Sequence, residues 1–182
     1  MRINQAYILI GSNINKKTNY PKALRRLSAI GKIGALSSVY ETAPIGNKGH
    51  SYYNGAVLLE TELNPFALKR ALRIIESQLG RVRTSDAYAP RTIDLDVVLF
   101  NHDIINDENL NIPSPQIWEQ PFVALPLAEI SPDYVVPIKG ERLTHIARRF
   151  GNHPTGIRIE PTATARAKQI ATHNFTGAMI HA

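Results

Sequence analysis

The sequence predicts an α+β fold, and three observations support this prediction. Hydrophobic residues make up 43% of the 182 residues, which suits one domain with a sizeable core. Short apolar runs of strand character alternate with segments whose apolar residues recur at helical spacing. Their order is strand, helix, strand, strand, helix, strand. This order is typical of a ferredoxin-like βαββαβ sheet with both helices on one face, here followed by additional C-terminal helices.

The first half of this unit begins with a short apolar strand at residues 6–10, which ends at a Gly-Ser-Asn turn sequence starting at Gly11. Pro21 is expected to open the first helix. The buried stripe of that helix is predicted to comprise Ala23, Leu24, Leu27 and Ile30. Residues 35–42 are predicted to form the second strand.

The second half begins with a strand at residues 52–61, which has apolar side chains on both faces and is therefore expected to be central. Asn64 and Pro65 predict a helix start, with Asn as the cap and Pro in the first turn. The stripe of this helix comprises Leu68, Ala71, Leu72, Ile75 and Leu79. A strand rich in Val and Leu follows Pro90 and ends at Phe100.

Beyond Phe100 the pattern is weaker. Residues 121–130 predict a short helix broken by Pro126, or two turns. One more amphipathic helix is indicated by Leu143, Ile146, Ala147 and Phe150. We expect residues 1–150 to form one domain, with residues 151–182 as a C-terminal extension of no assignable role.

Composition narrows the functional classes. The chain contains no cysteine, which excludes disulfide scaffolds and thiolate metal sites and is compatible with the cytoplasm. We find no signal-peptide pattern and no apolar run of the roughly 20 residues that a membrane span needs. The formal net charge of +6 favours an anionic partner.

The strand before Phe100 carries the strongest chemical signal. Its alternation places Ile93, Leu95, Val97 and Leu99 on one face. Asp94 and Asp96 then project together from the other face. Two adjacent carboxylates repel each other, and a hard divalent cation such as Mg²⁺ would relieve that repulsion.

Three arginines accompany this carboxylate pair: Arg81, Arg83 and Arg91. Arginines beside a carboxylate-bound metal suit a polyphosphate, whose charge both can neutralise. The alternative is a solvated strand face on which ordinary ion pairs satisfy the two carboxylates.

Two further polar residues allow alternative interpretations. Asn54 lies between apolar positions of a strand, so its amide either ties down a neighbouring loop or contacts a ligand. Glu76 lies near the end of a helix, where an exposed carboxylate without a special role is the simplest interpretation.

Together these motifs closely resemble the signature of the 6-hydroxymethyl-7,8-dihydropterin pyrophosphokinase family, over roughly residues 5–150. The central match is the run from Ala89 through Pro90, Arg91 and Thr92 to Asp94 and Asp96. The other matching segments occur in the expected order: Gly11-Ser12-Asn13, Tyr40-Glu41-Thr42-Ala43-Pro44, Tyr52-Tyr53-Asn54, Glu76, Gly80-Arg81-Val82-Arg83 and Phe122.

The resemblance implies a Mg²⁺-dependent enzyme that transfers diphosphate from ATP to the pterin alcohol and releases AMP, in folate biosynthesis. Asp94 and Asp96 would bind two Mg²⁺ ions, and Arg81 and Arg91 would act on the phosphates. The residues implied in ATP binding are Glu76, Arg81, Arg83, Arg91, Val97, Leu110 and Ser114. Tyr52 and Phe122 would sandwich the pterin. Asn54 and the segment Thr42, Ala43, Pro44 and Ile45 would bind its edge.

The resemblance also implies a cytoplasmic monomer or weak homo-oligomer that binds small molecules, with no nucleic acid and no membrane as partner. Two residues depart from the family pattern on the nucleotide side. Ser114 stands where many members have His, and Gln120 where they have Arg. The alternative function is therefore a catalytically weak paralogue that binds pterin or nucleotide.

An RNA-recognition module is a third hypothesis, because it shares the βαββαβ architecture. That module needs a Gly-Phe-aromatic pattern on its central strands, which Tyr52 and Tyr53 do not supply. In addition, Asp94 and Asp96 would repel a phosphate backbone in the absence of metal.

Overall fold

The computed structural model describes residues 2–44, 49–82, 89–151 and 154–177. Its strands are β1 (Asn4–Ser12), β2 (Lys32–Leu36), β3 (Tyr40–Thr42), β4 (Tyr52–Thr61), β5 (Asp94–Phe100), β6 (Ile105–Asp107), β7 (Leu110–Ile112), β8 (Val135–Val136), β9 (Glu141–Arg142) and β10 (Ile157–Ile159). Its helices are α1 (Lys16–Leu27), α2 (Pro65–Gln78), α3 (Gln116–Glu119), α4 (Pro121–Ile130), α5 (Leu143–Arg148) and α6 (Pro161–Gly177).

The main sheet has six strands in the order β10-β3-β4-β1-β5, with β2 also paired to β4. All the pairings are antiparallel. The prediction of an α+β fold built on an antiparallel sheet is confirmed, as is the central position of the 52–61 strand.

Side chains of the sheet alternate between two hydrophobic clusters. Ala6 and Ile8 of β1 pack with the apolar stripes of α1, α2 and α6, whereas Tyr7 and Leu9 pack with α3, α4 and α5. We call the first side the α1 face and the second side the α4 face. The prediction that the first two helices share a face is therefore confirmed, and the predicted helix around Leu143 and Ile146 is α5, on the other side of the sheet.

A bulge in β5 reverses one prediction. Tyr7 of β1 lies opposite Leu99, but the next residue, Ile8, lies opposite Val97, so Val98 is an extra residue in the pairing. Leu99 consequently packs on the α4 face, while Val97 packs on the α1 face. The expectation that these two side chains share a face was wrong, because one inserted residue inverts the alternation that follows it.

The predicted second strand is divided into β2 and β3. At the break, the Ser37 hydroxyl accepts a bond from the Ala56 amide at 2.9 Å, and the Ser37 amide donates to the Ala56 carbonyl at 3.0 Å. The serine side chain thus replaces a ladder bond where the strand bends. Both pieces still pair with β4.

Two prolines lie inside helices rather than at their boundaries. Pro21 was expected to open α1, but this helix begins at Lys16 and ends before Ile30. The proline leaves the Lys17 carbonyl without its helical donor. Arg166 of α6 donates to that carbonyl at 3.3 Å. The predicted break at Pro126 is also absent, since α4 continues through this residue.

The weakly patterned C-terminal segment is folded where the structure describes it. The strand β10 extends the sheet beyond β3, and α6 packs against α1 through the buried side chains of Ala167 and Ile170. Sequence patterning did not indicate this helix, because α6 has only a narrow apolar stripe. In the described ranges, every helix is too short or too polar to cross a bilayer.

Candidate active site

The floor of the candidate site is the end of β1. Gly11 lies opposite Asn54 of β4 on one side and opposite Asp94 of β5 on the other. A Cβ on Gly11 would stand 3.3 Å from the Asn54 Oδ1 and 3.7 Å from the Asp94 Cβ. The missing side chain therefore leaves a shallow depression between an amide and a carboxylate.

Asp94 lies at the centre of a cluster of charges on the α4 face. Its two carboxylate oxygens accept separate hydrogen bonds, one from Arg81 and one from Arg91. Burial raises the pKa of Asp94, but the charges and hydrogen bonds of the two guanidinium groups outweigh burial and hold the pKa below its ordinary value. Asp94 is therefore ionised at neutral pH.

Asp96 projects on the same face, because Leu95 between the two carboxylates packs on the α1 face. The Asp96 side chain is 45% exposed, and Lys69 of α2 reaches around the β5 edge of the sheet to bind it at 2.9 Å. Sequence reasoning missed Lys69, because a single lysine on a helix gives no sign of its tertiary partner. Each carboxylate of the pair is thus neutralised by cations of the chain itself.

Glu76 is a buried hydrogen-bond acceptor beside this cluster. This residue is only 2% exposed, and its Oε1 accepts a bond from the Leu95 amide at 2.9 Å and lies 3.4 Å from the Arg81 Nη1. The interpretation of Glu76 as an exposed residue was wrong. The helix end packs on β5, which converts a carboxylate at a surface-like sequence position into a buried acceptor that positions Arg81.

The Gly-Ser-Asn turn after β1 positions Arg91. The Asn13 Oδ1 accepts from the Arg91 amide at 2.7 Å, and the Asn13 amide donates to the Arg91 carbonyl at 3.2 Å. Ser12 donates from its hydroxyl to the Thr92 carbonyl at 2.6 Å. The turn therefore joins the end of β1 to the segment that carries Arg91, a role that the three residues alone did not reveal.

Asn54 is 5% exposed and donates from its Nδ2 to the Thr42 Oγ1 at 2.8 Å. The amide therefore has a partner on the adjacent strand β3 rather than on a loop, and the contact joins two residues that the family resemblance assigns to pterin binding. Tyr52 lies on the same face of β4. Burial raises the pKa of its phenol. The charge of Arg91 lowers this pKa in part, and the charge of Asp94 raises it.

The remaining predicted residues are distributed around this cluster. Phe122 of α4 packs against the hydrophobic cluster of the α4 face, which is the side on which Tyr52 also lies. Val97 and Leu110 are buried in the cluster of the α1 face, so their side chains face away from Asp94. Ser114 donates from its amide to the Val98 carbonyl at 2.9 Å.

The loop residues are described in part. Ala43 is exposed and Pro44 is half-buried. The predicted positions Ile45 and Arg83 lie outside the described residues.

The donor set fits a hard divalent cation. Asp94 and Asp96 offer carboxylate oxygens on one strand face, and three cationic groups already compensate them there. Mg²⁺ is usually held by one or two carboxylates together with substrate phosphates rather than by a complete protein cage. The pair therefore suits a metal that arrives with a phosphorylated ligand.

Comparison with known proteins identifies similar sequences of one enzyme family. The family model for 7,8-dihydro-6-hydroxymethylpterin-pyrophosphokinase matches residues 7–132. The 2-amino-4-hydroxy-6-hydroxymethyldihydropteridine pyrophosphokinase of Bacillus subtilis is 43% identical over 131 residues, which cover 70% of this chain and 78% of the relative. The protein of the same name from Methylorubrum extorquens is 38% identical over 163 residues, covering 87% of this chain and 100% of the relative.

Solved structures agree on the fold. The wild-type HPPK-DHPS of Plasmodium falciparum, crystallised with pterin and p-hydroxybenzoate, superposes with a TM-score of 0.68 at 15% identity. The match covers 82% of this chain and 42% of that chain, so this chain spans less than half of that protein's length. The family model and the relatives show that the chain belongs to the 7,8-dihydro-6-hydroxymethylpterin-pyrophosphokinase family.

Proposed function

We propose that this chain transfers the diphosphate group of ATP to the hydroxymethyl group of 6-hydroxymethyl-7,8-dihydropterin and releases AMP, a step of folate biosynthesis. Family membership supports the reaction. The single structural observation that carries it is the group formed by Asp94, Asp96 and their arginine and lysine partners on one sheet face. Such a group provides both the oxygens for a metal and the cations for phosphates.

The reaction balances as a displacement at phosphorus. The hydroxymethyl oxygen forms a bond to the β-phosphorus of ATP and loses its proton. The bond from the β-phosphorus to the oxygen shared with the α-phosphorus breaks, and AMP leaves with that oxygen. Positioning and charge neutralisation supply most of the acceleration in phosphoryl transfer.

On the pterin side, the proposal assigns the flat ring to the space between Tyr52 and Phe122. The ring edge would bind Asn54 and the chain at residues 42–45. The support is that Tyr52 and Asn54 share a strand face with Asp94, and that Gly11 leaves the floor between Asn54 and Asp94 open. The pterin hydroxymethyl group would then point towards the carboxylates.

On the nucleotide side, Asp94 and Asp96 would hold two Mg²⁺ ions. When bound, the ions would neutralise the phosphate charge and stabilise the attacking and leaving oxygens. Arg81 and Arg91 bind Asp94 in the structure described here, and the proposal has them exchange this carboxylate for ATP phosphates. Arg83 is assigned to ATP as well.

Several finer assignments rest on the same proposal. The strand order and the shared face of α1 and α2 support a ferredoxin-like core, extended by β10 and by α3 to α6. A monomer or weak homo-oligomer in the cytoplasm stays the prediction from the sequence. Gln120 lies at the N-cap position of α4 where the family pattern has Arg, so the proposal assigns the phosphate contacts to Arg81, Arg83 and Arg91.

Isotopically labelled ATP can show which phosphate groups are transferred. ATP carrying ³²P at the β-phosphate is incubated with Mg²⁺ and 6-hydroxymethyl-7,8-dihydropterin, and the products are separated by chromatography. We expect the label on the pterin and unlabelled AMP. Labelled ADP would instead show transfer of the γ-phosphate and would overturn the proposed reaction.

Lys69 provides a test of the metal assignment without turnover. Because Lys69 neutralises Asp96, it competes with a divalent cation for this carboxylate. We expect Lys69→Met to lower the dissociation constant for Mn²⁺, a spectroscopic substitute for Mg²⁺, by about 3- to 10-fold in the absence of nucleotide. Electron paramagnetic resonance of free Mn²⁺ measures this constant.

Lys22→Met is the matched control, since Lys22 is an exposed lysine on the outer side of α1. It should leave the Mn²⁺ affinity unchanged. Equal affinities in wild type and in Lys69→Met would show that Lys69 does not compete for the metal position.

A further inference from the structure

The C-terminal segment, residues 154–177, lies outside the residues that the family model matches, yet it adjoins the predicted pterin site. Its strand β10 pairs with β3, with Ile157 opposite Thr42. The pairing continues one residue further, where the Ala43 amide donates to the Gly156 carbonyl at 3.0 Å. This segment therefore holds the backbone of Thr42 and Ala43 directly.

The segment is itself fixed to the body of the protein. The Glu160 amide donates to the Val39 carbonyl at 2.8 Å, and the Val39 amide donates to the Thr164 Oγ1 at 2.9 Å. Ala167 and Ile170 of α6 are buried in the core of the α1 face. The segment that pairs with β3 is thus anchored by a helix that packs on α1.

A cluster centred on Glu41 joins the same segment to β3 and to Ser51, the residue before β4. Arg158 of β10 binds the Glu41 Oε2 through two nitrogens, at 2.6 and 3.1 Å. Lys16 of α1 binds the Glu41 Oε1 at 2.7 Å and the Ser51 carbonyl at 2.9 Å. The Ser51 hydroxyl also donates to Glu41, at 2.7 Å.

The cluster faces away from the reacting groups. Thr42 and Asn54 share the side that carries Asp94, so Glu41 and its neighbour in register, Tyr53, project from the opposite side of the sheet. The Lys16 Nζ lies 4.5 Å from the centre of the Tyr53 ring. Hydrogen bonds from Lys16 and Arg158 lower the pKa of Glu41 to about 2, so this carboxylate is ionised throughout the physiological range.

We propose that Arg158, with the C-terminal strand that carries it, is a positioning residue for pterin binding. Arg158 binds Glu41, and β10 pairs with β3, so the backbone of Thr42 and Ala43 is held in place before a ligand arrives. A preorganised binding edge lowers the ordering cost of binding a ligand there. The inference rests on the proposed function only in taking the pterin as the ligand of Thr42 and Ala43.

The expected signature is a selective loss of pterin affinity. The Arg158 side chain is 78% exposed, so its ion pair is screened by solvent and its removal should have a moderate effect. We expect Arg158→Ala to raise the KM for the pterin about 3- to 5-fold. The kcat and the KM for ATP should stay within twofold of wild type. Arg158→Lys, which keeps the charge, should recover most of the loss.

A stronger variant tests the whole cluster. Glu41→Gln weakens the contacts of Lys16 and Arg158 together, so we expect a larger rise in the KM for the pterin, about 10-fold. Arg149→Ala is the matched control, because Arg149 forms an ion pair with Glu141 in the α5 region and does not contact β3. It should leave every constant unchanged.

Calorimetric titration of the pterin, in the presence of a non-hydrolysable ATP analogue, separates this inference from the reaction itself. A wild type that binds pterin without releasing AMP would contradict the proposed function and still allow the comparison with Arg158→Ala. Unchanged pterin affinity in Arg158→Ala and Glu41→Gln, or an equal loss for both ligands, would overturn the positioning role. If Glu41→Gln fails to fold, the exposed Arg158→Ala variant decides alone.

Discussion

Asp94→Asn and Asp96→Asn are each expected to lower kcat about 10³-fold or more, because charge neutralisation at the phosphates is worth several kcal/mol. The two carboxylates share one strand face, and under the proposed function each variant would lose one metal ligand. Steady-state AMP release with saturating pterin and Mg²⁺ measures the effect. Pterin binding should be largely retained, since Tyr52, Asn54 and Phe122 are unchanged.

The two variants should differ in stability, which provides an internal control. The Asp94 side chain is 21% exposed and binds two arginines, so Asp94→Asn weakens both ion pairs and should cost about 1–3 kcal/mol of unfolding free energy. Asp96 is more exposed and binds one lysine, so the unfolding free energy of Asp96→Asn should lie within about 1 kcal/mol of the wild-type value. Turnover that persists in both variants would contradict the metal assignment.

Arg91→Met is expected to lower kcat/KM for ATP by about 10²- to 10³-fold, in line with the removal of an arginine that stabilises phosphoryl transfer. Arg91→Lys should recover only part of this loss, because lysine keeps the charge but lacks the planar fork that binds two oxygens. Kinetics with varied ATP at saturating pterin measure both variants.

Asn13→Ala tests how Arg91 is positioned. The Asn13 side chain contacts the Arg91 backbone and not its guanidinium group, so this variant keeps the charge but loosens the segment that carries it. A smaller loss, about 10-fold, is expected. If kcat/KM for ATP of Arg91→Met stays within threefold of wild type, Arg91 does not act on the phosphates.

Much of the core could be predicted from the sequence because it depends on local patterns. The stripe on α2 and its Asn64 cap follow from spacing and from a side chain that reaches the Ala67 amide three residues on. The position of Asp94 and Asp96 on one face follows from strand alternation. These features need no knowledge of distant chain.

Features that depend on tertiary contacts could not be read in this way. Leu99 changes face because of the Val98 bulge, which is defined only by the pairing with β1. Glu76 is buried by β5, and Lys69 finds Asp96 across the sheet edge. Sequence spacing gives no sign of partners that lie 19 or 27 residues away.

The C-terminal strand illustrates the same limit. Three residues of β10 are too few for a periodic signal, and their partner β3 is equally short. Their pairing is stabilised by Arg158 and Glu41, which are 117 residues apart. Only the fold brings this segment to the loop that the family resemblance assigns to the pterin.

The proposed reaction couples cleavage of ATP to a pterin alcohol. AMP release from ATP and Mg²⁺ by the purified chain, with and without 6-hydroxymethyl-7,8-dihydropterin, tests this coupling. We expect AMP only when the pterin is present, in equal amount to the pterin consumed, and about 10³-fold slower release from the Asp96→Asn variant. A folded wild-type sample that binds the pterin but leaves ATP intact would contradict the proposed reaction.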